Sequence, residues 1–141
     1  MTLLKWVLVI GGVLFLAVGA AIIGIVYWAE SIPSVAVTEA DLAVGGSYPP
    51  EERQALLDAC GKRNVSKRED SCTCIADRAG TDLSRFQRLV LIGSLEGSAS
   101  KIVAVTKGLM ESGVAEEKVD ALEKDSEQRF EALMQACGLN R

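Results

Sequence analysis

Between Trp6 and Trp28 the chain runs for 23 positions without a charge, bracketed by Lys5 and Glu30 and carrying Trp6 at one end and Tyr27 and Trp28 at the other. A helix of this length, at about 1.5 Å of rise per residue, covers the roughly 30 Å hydrocarbon core of a bilayer, and aromatic ends suit the two headgroup zones. The run therefore reads as a membrane span that tethers a small domain. Lys5 precedes it, whereas Glu30, Glu39 and Asp41 follow it and no cation appears before Arg53. The positive-inside bias then places the N-terminus in the cytoplasm and the remainder outside it. Val18-Gly19-Ala20 also satisfies the small-residue rule for signal cleavage. The apolar run is longer than the roughly 7–15 residues of a signal, and either alternative exports the domain.

Cysteine usage agrees with export. The four cysteines, Cys60, Cys72, Cys74 and Cys137, all lie beyond the span, the pattern of disulfides in an oxidising compartment. Cys72 and Cys74 are two positions apart, about 200° around a helix, so a bond between them is disfavoured and each is expected to join one of Cys60 and Cys137. Which joins which stays open. A folded part with two phenylalanines, Phe86 and Phe130, and no tryptophan outside the span has a small core. Two bridges closing loops of roughly 12 and 60 residues would each contribute about 3–4 kcal/mol under the chain-entropy treatment, comparable to the net stability of such a domain.

The expected fold class is all-α: a single N-terminal transmembrane helix followed by a small disulfide-stapled helical bundle. The organisation is residues 1–30 as cytoplasmic tip and anchor, 31–48 as an extended linker, and 49–141 as the helical domain. Pro33, Gly45, Gly46 and sparse Val/Ala mark the linker. Pro49-Pro50-Glu51-Glu52 starts a helix running to Lys62 with Leu56, Leu57 and Cys60 on one face. The basic stretch Lys62 to Arg68 leads to a short helix over Cys72 to Ala79, which Gly80 is expected to end, and Thr81 or Asp82 is expected to cap the next. That third segment carries Leu83, Phe86, Leu89, Val90, Ile92 and Leu95. Gly93 and Gly97 within it either allow a close helix crossing, the favoured reading, or divide it into 82–96 and 99–112. Gly113 is expected as a C-cap. The last helix, Ala115 to Cys137, places Val119, Leu122, Phe130, Leu133, Met134 and Cys137 on one face, and Gly138 stops it.

Functional signals are sparse. With no histidine in the chain, Ser-His and Cys-His nucleophile pairs, His-bearing zinc sites and haem-attachment motifs are excluded. No Gly-rich phosphate loop occurs, and no cofactor, metal or small-molecule substrate is implied. Asn64-Val65-Ser66 matches a glycosylation acceptor of little weight. Cys72-Thr73-Cys74 is the one motif with chemical potential, for thiol–disulfide exchange or delivery of a soft cation such as Cu(I), with Lys67 and Arg68 nearby. It lacks a thioredoxin-like setting.

Two surfaces suit binding. Ala17, Ala20, Ala21 and Gly24 form a small-residue stripe at i, i+3, i+4 and i+7, a face on which spans pack closely. Beyond the span, the basic group Lys62, Arg63, Lys67 and Arg68 contrasts with a last helix of net charge −5 over 111–131, and overall acidity argues against nucleic-acid binding. The expectation is a non-catalytic periplasmic interaction protein anchored in a bacterial inner membrane by one span. It would be an accessory or assembly subunit of an integral membrane complex such as a respiratory one. The alternative is a redox or copper-delivery protein working through Cys72 and Cys74.

Overall fold

A computed structural model describes residues 21–62 and 69–139. The chain divides into two compact units, Met1–Pro33 and Ser34–Arg141. In the first unit the described part is a helix over residues 21–31 (α1), on which Ile22, Ile23, Ile25, Val26, Tyr27 and Trp28 are all exposed. It closes where the Ser31 hydroxyl donates to the Trp28 carbonyl at 2.7 Å and Pro33 follows. The start of the expected span, 6–20, lies outside the described residues. Among the described residues no helix is long and apolar enough to cross a membrane.

The second unit is helical, with no strand among the described residues: α2 (Pro50–Lys62), α3 (Glu69–Asp82), α4 (Arg85–Glu96), α5 (Ala99–Glu111) and α6 (Glu116–Ala136). In α2 the helix-starting prolines and acids act as expected, the Pro49 carbonyl accepting from the Glu52 and Arg53 amides. Leu56, Ala59 and Cys60 are its buried face.

Gly80 does not end the second helix. It lies inside α3 because a Cβ there would stand 2.5 Å from Cδ1 of Tyr48, so the glycine admits the tyrosine ring. Nor do Thr81 or Asp82 cap the next helix. Leu83 is fully buried, and Ser84 takes the cap, accepting from the Gln87 amide at 3.2 Å while Gln87 Oε1 accepts from the Ser84 amide at 3.0 Å. This reciprocal box satisfies two amides that would otherwise be orphaned at the helix start.

The segment containing Gly93 and Gly97 uses both glycines. Gly97, at φ +67°, ends α4 in the left-handed conformation, and the Ser98 amide reaches back to the Gly93 carbonyl at 2.9 Å. At Gly93 a Cβ would lie 2.9 Å from Cγ1 of Ile102, so the absence of a side chain lets α5 fold closely against α4. The segment is thus broken and closely crossed at once. Gly113 and Gly138, at φ +86° and +77°, follow α5 and α6.

The expected linker is the main revision. From Ser34 onward it belongs to the domain. The Val35 amide donates to the Ala104 carbonyl at 3.0 Å, and Val37 is 2 % exposed inside a cluster with Phe86, Val105, Leu109 and Val119. A 3₁₀ turn, Glu39–Leu42, follows, and the Gly45 amide donates to the Leu83 carbonyl at 3.3 Å. Gly108 makes this strap possible, since its Cβ would fall 1.7 Å from the Val35 carbonyl oxygen. The larger cluster joins Leu56, Ala59, Ile75, Ala76, Ala79, Leu83, Leu91, Ile92, Leu95 and Leu133. Alternation of small and apolar residues thus masked a packed strap.

Gly108→Ala tests the strap. Neither backbone can yield without breaking the α5 ladder or lifting Val35, so urea unfolding should show a loss of about 2–3 kcal/mol. A variant with wild-type stability would mean that the strap does not cross α5 at this point.

Candidate functional site

At the centre of the domain stands Arg88, fully buried on α4. Its Nε donates to Glu52 at 3.2 Å, one terminal nitrogen to the Leu83 carbonyl at 3.1 Å, and the other to the Ser47 carbonyl at 2.6 Å. The guanidinium carbon lies 4.7 Å from the centroid of the Tyr48 ring, within range of a cation–π contact. Tyr48 in turn rests against Gly80 and donates its hydroxyl to the Ala76 carbonyl at 2.8 Å. Burial pushes its phenol above the ordinary value. Glu52 also accepts from Arg85 Nε at 2.8 Å, and this bond helps to raise the Arg85 guanidinium above its usual value.

A second polar group ties α6 to α4. The buried Gln87 side chain donates to Asp125 at 2.8 Å, Asp125 accepts from Arg129 at 2.7 Å, and Arg129 donates to the Asp82 carbonyl at the end of α3, at 3.2 Å. Among the described residues no buried side-chain nitrogen or oxygen lacks a partner. These networks hold helices together. Sequence reasoning singled out neither Gln87 nor Arg88, because the groups that partner them, Asp125, Glu52 and the Ser47 carbonyl, lie 38, 36 and 41 residues away.

The cysteines are all bonded. Cys60 joins Cys72 and Cys74 joins Cys137, with Cα separations of 5.7 and 5.6 Å. The i, i+2 spacing sends the two α3 sulfurs to different neighbours, α2 on one side and the end of α6 on the other. Cys72-Thr73-Cys74 thus presents no thiol pair, and among the described residues no group of three or more Cys, Asp or Glu could hold a metal ion.

Of the small-residue stripe, Ala17 and Ala20 lie outside the described residues. Ala21 and Gly24 are exposed on α1, and nothing lies within 4 Å of a Cβ built on Gly24. Arg63, Lys67, Arg68 and the Asn64-Val65-Ser66 acceptor also lie outside. Lys62 is exposed and pairs with Glu96 at 3.8 Å. On α6 the carboxylates of Glu116, Glu117, Asp120, Glu123, Glu127 and Glu131 are solvent-exposed, and Asp125 alone turns inward to Gln87. The site-like features are therefore the apolar surface of α1 and the charged outer face of α6. No protein-family model, curated protein or solved structure matches this chain.

Two predictions test the networks. Arg88→Met should cost about 3 kcal/mol in urea unfolding, since it leaves the Ser47 carbonyl and part of Glu52 without their donor and the Leu83 carbonyl with the Gly45 amide alone. Arg88→Lys should recover little, because an ammonium lacks the planar fork that serves three directions; a full recovery would show that charge alone matters.

The second concerns acid. The Glu39 carboxyl is held below its ordinary value by Lys118. Burial alone would raise Asp41 and Asp82, but hydrogen bonds from Thr38 and Arg85 to the first, and from Arg78 and Thr81 to the second, bring both below theirs. Because these folded-state values are depressed, the unfolded chain binds protons first. The stabilisation is present above the ordinary values of 4.5 and 3.8 and is lost as pH falls through and below them. Urea midpoints should fall steeply below about pH 4.5, and Asp41→Asn should make that fall shallower; an unchanged slope would remove Asp41 from the account.

Proposed function

We propose that this protein is a non-catalytic interaction subunit anchored in a bacterial inner membrane by the run from Trp6 to Trp28. Its stapled helical domain lies on the periplasmic side, and its partner is an integral membrane complex, such as a respiratory one, in which it serves as an accessory or assembly factor. The observation that carries this reading is the surface of α1. Its large apolar side chains from Ile22 to Trp28 are between 47 % and 71 % exposed, an apolar surface that water disfavours and lipid or another span would cover. The two disulfides support an oxidising compartment. The satisfied polar interior and the absence of histidine support a binding role over catalysis.

In this reading Ala17, Ala20, Ala21 and Gly24 form the packing face toward the partner span, and the charged face of α6 remains available to soluble parts of the same complex. A reporter active only outside the cytoplasm, fused after Arg141, should be active. A stable but inactive fusion would reverse the topology. In mild detergent the wild-type protein should copurify with a membrane complex, whereas Ala20→Leu combined with Gly24→Leu should insert normally but lose the partner, because the larger side chains hold the helix backbones apart. Undiminished copurification would move recognition to the helical domain.

A further inference from the structure

We propose that the Cys74–Cys137 disulfide is a redox latch: its reduction by a protein or small-molecule dithiol frees α6 while the remaining helices of the domain stay folded. The basis is an asymmetry between the two bridges. Cys60–Cys72 joins α2 to α3, helices already locked by Leu56, Ala59, Ile75, Ala76 and Ala79 in the larger cluster and by the Arg53–Asp77 ion pair at 2.7 Å. Cys74–Cys137 joins α3 to α6, and α6 is poorly buried. Only Val119, Ser126 and Leu133 of its 21 residues are buried, against seven of the 12 residues of α4.

The other attachments of α6 are spread along its length, apolar where Val119 and Leu122 meet the smaller cluster and otherwise polar before the C-terminal end. Lys118 reaches Glu39 near its start, and Asp125 and Arg129 reach Gln87 and the Asp82 carbonyl in its middle. The disulfide holds the C-terminal end, where Leu133 meets the larger cluster and Phe130 and Met134 are only partly covered. Without the bond, α6 depends on a narrow apolar stripe, of which only Val119 and Leu133 are buried, together with one ion pair and two hydrogen bonds, the composition of an element that opens locally before the domain unfolds.

Access and geometry favour a local reaction. Cys74 is half-buried beside the exposed Thr73, whereas Cys137 is 8 % exposed, so within this bridge Cys74 is the more accessible residue, as Cys72 is in the other; what distinguishes the two bridges is the weaker hold on α6. A thiolate of the incoming dithiol bonds to Cys74 Sγ and expels the Cys137 thiolate, which takes up a proton. The second thiol of the donor then attacks the mixed disulfide, leaving Cys74 as a thiol and the donor as a disulfide, a balanced two-electron, two-proton exchange. Cys72 lies about 200° around α3, so the freed Cys74 is turned away from the Cys60–Cys72 bond and does not scramble it.

The full chain in detergent micelles, titrated with dithiothreitol, tests the latch. Alkylation and mass spectrometry identify which bridge has opened, and hydrogen exchange reports each helix. Opening of Cys74–Cys137 should come first and accelerate exchange across residues 120–134 by at least about tenfold, with α2, α3 and α4 keeping their protection. Cys74→Ser with Cys137→Ser should reproduce this without reductant, whereas Cys60→Ser with Cys72→Ser should leave α6 protected. Three results would overturn the proposal: unchanged α6 protection after the bond opens, loss of protection in α2 to α4 in step with α6, or earlier opening of Cys60–Cys72.

Discussion

The burial of the Arg88 guanidinium is the constraint around which the domain is arranged. A desolvated cation is tolerated only where its donors are met and a counter-charge is near, and here the partners come from three parts of the chain. Ser47 and Tyr48 come from the strap, Glu52 from α2, and the Leu83 carbonyl from the turn between α3 and α4. Meeting those demands fixes where the strap ends, how α2 crosses α4, and why Tyr48 must press against α3 at a residue without a side chain. Other packings of the same apolar helices would strand this charge.

Around that centre the remaining stability is divided by chemistry. The larger cluster supplies the apolar burial of α2, α3 and α4, the smaller one seats Val37 and the strap on Phe86, Val105, Leu109 and Val119, and α6 is added at the edge. A domain with so few aromatics has little apolar surface to spare. The bridges compensate unequally, because Cys60–Cys72 closes a separation of 12 residues between helices that already pack well, whereas Cys74–Cys137 closes one of 63 and fastens the least buried helix. Loop-closure entropy also favours the longer bridge as the larger stabiliser.

Glycine positions show how a local sequence cue acquires different meanings. At Gly97 the cue is conformational, a left-handed residue that stops a helix. At Gly80, Gly93 and Gly108 the backbone is helical and the missing Cβ makes room for a ring, a side chain and a carbonyl, respectively. A sequence shows the absent side chain equally in all four. The neighbour that needs the space is 32 residues away for Gly80 and 73 for Gly108, beyond the reach of any local pattern.

By itself the sequence determined the helical class, the start of α2, the ends of α5 and α6, the apolar stripe of α6, and the expectation that Cys72 and Cys74 take separate partners. Each follows from short-range rules: periodicity, proline and glycine placement, and the angle between positions two apart on a helix. The apolar run that suggests an anchor is equally local. Tertiary structure alone decided that residues 34–48 pack as a strap, that α3 continues through Gly80, that Gln87 and Arg88 are interior, and that Cys60 pairs with Cys72. In each of these the deciding partner is distant in the chain, and a polar or small residue becomes favourable only once that partner supplies the hydrogen bond, charge or surface that water would otherwise provide.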